Sequence, residues 1–360
     1  MSGGVDSSVA AALSVEQGHD VVGVTLKQWE GPSGEMPTAG CCTVGDAEDA
    51  RRVAAQLDVP YYVLDYVDRF RTAVVDPFAD AYARGETPNP CIECNRSVRF
   101  SALLDRTEAL GCDVLATGHH ARVEHTGGRW TLRTATDPDK DQSYVLHMLG
   151  QAELGRIRFP VGHLTKGQVR DKAAQLGLRT AAKPDSQDLC FVGKQGYRSF
   201  LRDERPELAQ PGPIVDGDGR RVGAHRGTID FTIGQRRGIG VASADGPRYV
   251  TAIDPATATV RIGRRHELAA AGCDVADVTW VAGSPPYADL SPGPNGEVTV
   301  EVKVSYRARP VPGVISRDGV GWRLRFDTPQ FGVAPGQAAV FYRGDDVLGG
   351  GRIKSTHRSG

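Results

Sequence analysis

A short polar segment near the start of the chain, Ser2-Gly3-Gly4-Val5-Asp6-Ser7-Ser8, constrains the fold more than any other feature of the sequence. Its two glycines let the backbone approach an anion closely. The helix-forming run 9–13 behind it offers free N–H groups and the positive end of a helix dipole. The serine hydroxyls add hydrogen-bond donors, and Asp6 can help to hold a magnesium ion. The segment therefore predicts a pyrophosphate-binding loop, which differs from the P-loop because it has no lysine.

Behind this loop, β-branched runs alternate with segments of helical periodicity. We expect strands at 21–26, 61–64 and 114–117 and helices at 46–57 and 95–110. This alternation is typical of an α/β fold with a doubly wound parallel sheet, whose ligands bind beyond the carboxyl ends of the strands. In such folds a strand leads directly into the phosphate loop, so we expect a strand of about six to eight residues upstream of Met1.

The pattern changes after about residue 205 to short β-rich runs separated by glycine and proline turns, at 211–213, 216–219 and 291–294. Short strands at regular spacing are typical of small β-barrels. We therefore predict an α/β domain at 1–205, a central small β domain at 206–269 and a C-terminal β-barrel at 270–360.

Composition narrows the class of protein. The 360 residues are 40% hydrophobic and 24% charged, as expected for a soluble protein of two or three domains. The sequence has no membrane-spanning apolar run and no secretory signal, so we expect a cytoplasmic protein without a membrane partner. Residues 208–360 hold 19 Lys and Arg against 15 Asp and Glu, and this mildly basic balance permits contacts with nucleic-acid phosphates.

Seven cysteines without an export signal favour metal, redox or nucleophilic roles over a disulfide framework. Cys91 and Cys94 lie three positions apart where a loop should enter a helix, and the dipole of that helix lowers a thiol pKa. The pair can be half of a zinc site, a dithiol couple, iron–sulfur ligands, or a nucleophile with a helper. Zinc normally needs a second close pair, and the adjacent Cys41 and Cys42 are poorly spaced to bind one metal together.

The phosphate loop, the paired cysteines and several further strings together resemble one family, the tRNA-specific 2-thiouridylases (MnmA or TrmU), which are ATP pyrophosphatases. The resemblance covers nearly the whole chain. Besides the phosphate loop it rests on TPNPCIECN at 87–95, ATGHHAR at 116–122, KDQSYVL at 140–146, SQDLCF at 186–191, FTIGQRRGIG at 231–240, KVSYRAR at 303–309 and APGQ at 334–337.

The resemblance implies adenylation of O2 of a wobble uridine by ATP with Mg²⁺, followed by sulfur transfer. Cys190 matches the family's persulfide carrier and Cys94 its nucleophile, and the two would end as a disulfide. The implied ATP-binding residues are Ser2, Gly3, Gly4, Val5, Asp6, Ser7, Leu26 and Gly118. The implied tRNA-binding residues are Asn89, Pro90, Cys91, His119, Lys140, Asp141, Gln142, Tyr306, Arg307 and Gln337. The implied partners are the tRNAs for Lys, Glu and Gln and a cysteine desulfurase or sulfur-relay protein.

Cys91 stands where many family members have an aspartate that is proposed to transfer a proton. Cys91, Cys94 and Cys190 could also hold three irons of a [4Fe–4S] cluster, an alternative to the persulfide. Two other functions compete with thiolation: an amide-forming ATP pyrophosphatase, which needs no cysteine pair, and a tRNA-binding protein without catalytic activity.

Overall fold

The computed structural model describes residues 1–30, 43–185, 189–192, 196–242, 246–286, 296–319 and 321–358. Cys41, Cys42 and the Ser186–Asp188 part of the SQDLCF string lie outside the described residues. In the described part of the chain, no helix is long and apolar enough to cross a membrane.

Helices and strands alternate through the first part of the chain. The helices are α1 (Val5–Glu16), α2 (Val44–Gln56), α3 (Val67–Phe70), α4 (Asp76–Ala83), α5 (Pro90–Glu93), α6 (Leu103–Ala109), α7 (Gln151–Gly155), α8 (Lys166–Gln175) and α9 (Tyr197–Glu204). The strands are β1 (Gly23–Lys27), β2 (Tyr61–Asp65), β3 (Leu115–Ala116), β4 (Arg122–Thr126), β5 (Arg129–Arg133) and β6 (Ile157–Arg158). The π-helical segments Arg71–Val75 and Cys94–Ala102 join α3 to α4 and α5 to α6.

The parallel strands of this first part of the chain form two pairs. β1 pairs in parallel with β2, and β3 pairs in parallel with β6. The α/β class predicted from the sequence is confirmed, but the two pairs form separate sheets among the described residues. A cleft of about 1980 Å³ is lined by residues of both β1 and β3, and the phosphate loop lies on its wall.

The central β domain is a four-stranded sheet. Its strands are β7 (Gly212–Val215), β8 (Arg221–His225), β9 (Tyr249–Asp254) and β10 (Thr259–Gly263), in the order β8-β7-β10-β9. Their buried apolar side chains form a separate small core, in which Ile214, Val250 and Val260 are fully buried.

The C-terminal strands close into a barrel. These are β11 (Ala270–Trp280), β12 (Val298–Lys303), β13 (Val311–Asp318), β14 (Gly321–Gln330), β15 (Ala338–Arg343) and β16 (Asp346–Arg358). They follow the order β11-β14-β13-β12-β15-β16, and pairing of β16 with β11 completes the circle. The β4–β5 hairpin extends this sheet through β5 and β16, so the barrel is hydrogen-bonded to the α/β part. The predicted small β-barrel is confirmed.

Candidate active site

The phosphate loop is held by close backbone contacts on two sides. Gly3 has a φ of +71°, and a Cβ there would overlap the carbonyl oxygen of Asp46. A Cβ at Gly118 would lie 2.6 Å from the backbone of both Asp6 and Ser7. Both positions therefore require glycine if the loop is to keep its shape. Gly4 is the N-cap of α1, which begins at Val5, so the first free N–H groups of this helix belong to the loop itself.

Asp6 is held by two cationic or polar partners from distant parts of the chain. Nζ of Lys166 donates to both carboxylate oxygens at 2.8 Å, and Nε2 of His120 lies 3.1 Å from Oδ1. Burial acts to raise the pKa of Asp6, but the hydrogen bonds from His120 and Lys166 outweigh it and lower that pKa. Sequence reasoning missed both partners, although His120 lies in the ATGHHAR string.

A second carboxylate, Asp185, lies beside the first and contacts three cations. Its oxygens accept from Lys140 at 2.8 Å, Lys166 at 2.9 Å and Arg170 at 3.0 Å. Burial acts to raise the pKa of Asp185, yet the hydrogen bonds from Lys140 and Lys166 lower it to about 2. We call Ser2–Ser7 with Lys140, Lys166 and Asp185 the phosphate end of the cleft.

The structure brings most of the predicted ATP-binding residues to one wall of the cleft: Ser2, Gly4, Val5, Asp6, Ser7, Leu26 and Gly118. Gly3 is buried behind them, and its carbonyl oxygen accepts a hydrogen bond from Nζ of Lys183 at 2.9 Å. Lys183 also bonds Asp46 and Asp49, so it ties the loop to α2. ATP contact by these residues stays a prediction.

The two thiols predicted to be catalytic share one hydrophobic cluster. Cys94 is buried, and Cys190 packs against the same cluster. Nε2 of Gln28 donates to Sγ of Cys94 at 3.5 Å, and Gln28 itself is almost fully buried. Phe191 stands beside Cys190, where rings such as Phe70 pack edge-on against it. We call Gln28, Cys94 and Cys190 the sulfur end.

The third thiol, Cys91, has a different environment. It is exposed on α5, where Oδ1 of Asn89 accepts from its backbone N–H at 3.1 Å. Within the described ranges, no three His, Cys, Asp or Glu side chains gather closely enough to hold a metal ion. Cys91, Cys94 and Cys190 are all among the described residues, and they do not form such a group.

Several residues that match tRNA-contacting positions are engaged inside the protein. Pro90 is buried, Asp141 accepts from Ser143 and Ala135, and Oε1 of Gln142 accepts from the backbone of His120. His119 is packed between Phe100 and Phe159. Burial lowers the pKa of His119 to about 3, so this ring is neutral.

The barrel contributes the remaining predicted contacts. Tyr306 and Arg307 line the cleft, and Tyr306 packs edge-on against Tyr144. Nε2 of Gln337 donates to the carbonyl oxygen of Thr87 at 2.7 Å, so this residue is hydrogen-bonded to the loop that leads to Cys91. The structure therefore shows Gln337 as a link between the barrel and the cysteine loop. Contact of these residues with tRNA stays a prediction.

Family models match the chain in three consecutive parts. Residues 1–194 match the tRNA methyl transferase HUP domain, residues 198–264 the tRNA methyl transferase PRC-barrel domain, and residues 270–353 the aminomethyltransferase β-barrel domain.

Curated relatives match over nearly the whole length. The chain is 49% identical to the tRNA-specific 2-thiouridylase MnmA of Chloroflexus aurantiacus, over 98% of this chain and 96% of the relative. Proteins of the same name from Heliobacterium modesticaldum and Herpetosiphon aurantiacus are 46% and 47% identical. These alignments cover 98% and 99% of this chain and 91% and 98% of the relatives.

Proposed function

The chain belongs to the tRNA-specific 2-thiouridylase family, and from that premise we propose that it activates O2 of the wobble uridine with ATP and replaces this oxygen with sulfur from a cysteine persulfide. The protein is a tRNA-uridine 2-sulfurtransferase. The proposal concerns the route of the reaction and the residues that carry it.

The observation that carries the proposal is the continuity of one cleft wall between the two ends. Leu26 and Gln28 line the same cleft as the phosphate loop. Gln28 also donates a hydrogen bond to Cys94. A uridine held in this cleft would have the pyrophosphate-binding loop on one side and Gln28 on the other, with the buried Cys94 thiol behind Gln28. Such proximity lowers the entropic barrier to reaction.

We assign the chemistry to three steps. First, O2 of the uridine attacks the α-phosphorus of ATP, and pyrophosphate leaves. Next, the terminal sulfur of a Cys190 persulfide attacks C2, and AMP leaves with the former O2. The Cys94 thiolate then attacks Sγ of Cys190, which forms a disulfide and releases the 2-thiouridine. A cellular dithiol supplies the two electrons that restore both cysteines, and a cysteine desulfurase or relay protein reloads Cys190.

Magnesium fits the phosphate end, because Mg²⁺ usually takes one or two carboxylates and completes its shell with phosphate oxygens and water. Asp6 is the carboxylate of the phosphate loop that lines the cleft. The ion would neutralise charge on the departing pyrophosphate.

The exposed thiol tests the choice between persulfide and iron–sulfur chemistry. Cys91 lies outside the buried cluster, so we expect it to shape the pocket around the base or to pass a proton. Cys91→Ser should keep partial activity after anaerobic purification, and the protein should contain no stoichiometric iron. Iron that is lost together with activity in this variant would instead support the cluster.

We assign tRNA binding to the C-terminal barrel, residues 270–360, together with Asn89, Cys91 and Lys140. The family implies the tRNAs for Lys, Glu and Gln as substrates in the cytoplasm. The mildly basic C-terminal half supports contacts with RNA phosphates. A flipped uridine would stack in the cleft near Tyr306.

A single-turnover experiment tests this route. Enzyme loaded with persulfide by a cysteine desulfurase is mixed with a tRNA transcript and Mg·ATP, and AMP and 2-thiouridine are quantified. We expect Cys94→Ser to stall as a protein–tRNA adduct that a thiol reductant releases, because Cys190 then stays joined to C2 through two sulfurs. Cys190→Ser should form neither adduct nor thiouridine.

Cys112→Ser is the matched control, because this half-buried thiol lies outside the cluster that holds Cys94 and Cys190. It should behave as the unmodified enzyme. Thiolation by a Cys94→Ser, Cys190→Ser double variant would refute the sulfur route. Amide formation by that double variant would support the rival ligase function, and methyl transfer, which two of the family-model names suggest, would need neither ATP cleavage nor these thiols.

A further inference from the structure

Three cations contact the two carboxylates at or beside the phosphate end. Lys140 and Arg170 each pair with Asp185, and Lys166 pairs with both Asp6 and Asp185. Lys166 is the most buried of the three cations, and its ammonium bridges the two carboxylates with contacts of 2.8 and 2.9 Å. The cations therefore surround the two neighbouring carboxylates, Asp6 and Asp185, beside the phosphate loop.

The three cations do not face the same space. Lys140 and Lys166 line the cleft together with Asp185. The guanidinium of Arg170 instead donates to the carbonyl oxygens of Ala181 and Lys183, so it anchors the backbone on which Asp185 stands. Of these three cations, Lys140 and Lys166 are the ones placed to meet a ligand in the cleft.

We infer that Lys140 and Lys166 bind phosphate oxygens of ATP, and that Asp185 takes the place of these oxygens in the ATP-free enzyme. A carboxylate with two ammonium donors presents the same charge and acceptor geometry as a phosphate oxygen pair. When ATP enters, Lys140 and Lys166 exchange their hydrogen bonds to Asp185 for hydrogen bonds to phosphate oxygens. Arg170 remains as a partner for the displaced Asp185. This inference rests on the proposed use of ATP, and it gives Lys140 a role besides the predicted tRNA contact.

The inference predicts the sign of a mutational effect. An internal carboxylate that competes with the ligand weakens binding, so its removal should tighten binding. A carboxylate that only supports the site should have the opposite effect, because its loss would disorder the lysines. Asp185→Asn therefore distinguishes the two roles.

The experiment is calorimetry of inorganic pyrophosphate binding to the full chain, with and without Mg²⁺. We expect Asp185→Asn to tighten binding about threefold to tenfold, as exchange of a half-buried ion pair allows. Lys166→Met should weaken binding about tenfold, because a charge-assisted hydrogen bond is lost. Lys140→Met, at a more exposed position, repeats that test if Lys166→Met does not fold.

Two substitutions on the same helix are matched controls. Asp171 is exposed on α8, and Lys172 pairs with Glu16 away from the cleft. Asp171→Asn and Lys172→Met should leave pyrophosphate affinity unchanged, and thermal unfolding checks that every variant is folded.

Weaker or unchanged binding by Asp185→Asn would overturn the inference, and weakening only with Mg²⁺ would identify a metal ligand instead. If Lys140→Met and Lys166→Met lower affinity for a tRNA transcript but not for pyrophosphate, the lysines serve RNA phosphates and the inference fails. Should the unmodified enzyme bind neither pyrophosphate nor ATP, the proposed adenylation fails as well. If ATP binds normally but Asp185→Asn does not tighten pyrophosphate binding, the inference about Asp185 is refuted and the proposed adenylation is not.

Discussion

The phosphate end and the sulfur end of the cleft are stabilised by different interactions. Lys166 bridges Asp6 and Asp185 through ion pairs at the first end. At the second end, Cys94 is buried among apolar and aromatic side chains, and the side chain of Gln28 donates to its sulfur. Charges that can exchange partners suit a polyanion that enters and leaves, whereas an apolar shell excludes water from the site of sulfur transfer.

This comparison implies that the two steps of the reaction can be damaged separately. Substitutions at the phosphate end should change binding of ATP and pyrophosphate. Substitutions at the sulfur end should change thiolation while ATP binding stays intact.

Gly118→Ala should damage the phosphate end most. The new Cβ would lie 2.6 Å from the backbone of Asp6 and Ser7, so the loop must move. We expect ATP affinity to fall about tenfold to hundredfold, the equivalent of the 1–3 kcal/mol that overpacking costs. Gly167→Ala is the control for calorimetry, because its Cβ meets only Thr165 at 3.9 Å. Unchanged ATP affinity of Gly118→Ala would show that ATP does not bind at the phosphate loop.

His119 should make the protein sensitive to mild acid. Burial lowers its pKa to about 3 and that of His147 to about 4 in the folded state. The unfolded state then binds more protons, so stability falls as pH drops below about 6.5. For His119 alone, the unfolding equilibrium constant should rise about tenfold between pH 7.5 and 5.5.

Chemical denaturation of His119→Gln at both pH values checks this, with the exposed His125→Gln as control. Removal of His119 should flatten the pH dependence by about half, since His147 remains. A tRNA affinity that falls in His119→Gln while the pH dependence of stability stays unchanged would mean that His119 faces RNA.

Gln28→Ala should affect the sulfur end only. Loss of the hydrogen bond to Cys94 removes a group that positions the nucleophile, and we expect single-turnover thiolation to slow about fivefold. ATP affinity should not change. Gln56→Ala serves as control, because this exposed glutamine of α2 bonds the carbonyl oxygen of Leu176 and does not line the cleft. An equal loss of ATP binding in Gln28→Ala would show that the two ends are not separable.

Arg307→Ala should have the smallest effect, on tRNA alone. If the barrel contacts one phosphate through this residue, tRNA affinity should fall about threefold and the salt slope by roughly one contact. Filter binding across salt concentrations measures both, beside ATP calorimetry. Normal tRNA binding at every salt concentration would take Arg307 out of the predicted interface.

The sequence predicted best what short strings encode. The phosphate loop, the paired cysteines and the strand–helix alternation are local patterns, and the fold class follows from them. Lys166, His120 and Asp185 were missed because their roles arise from convergence in space. Lys166 lies 160 positions from Asp6, and a lysine in the first turn of a helix carries no local signal of a ligand.

Burial was the other quantity that local strings did not reveal. His119, Asp141 and Pro90 match positions that contact tRNA in the family, yet their side chains lie within the protein. Gln337 binds the loop before Cys91. His119 packs against Phe100 and Phe159, and Asp141 lies beside Lys303 of the barrel. No spacing rule brings such distant segments together. The two separate parallel pairs were equally unexpected from a strand count alone.

The proposed mechanism assigns adenylation to the phosphate end of the cleft and sulfur transfer to the buried thiols behind Gln28. Its most direct test is tRNA-dependent exchange between ATP and labelled pyrophosphate in Cys190→Ser. We expect an exchange rate within about twofold of the unmodified enzyme while 2-thiouridine formation is abolished, because adenylation precedes any use of sulfur. Loss of exchange together with thiolation, in a protein whose thermal unfolding is unchanged, would contradict the account.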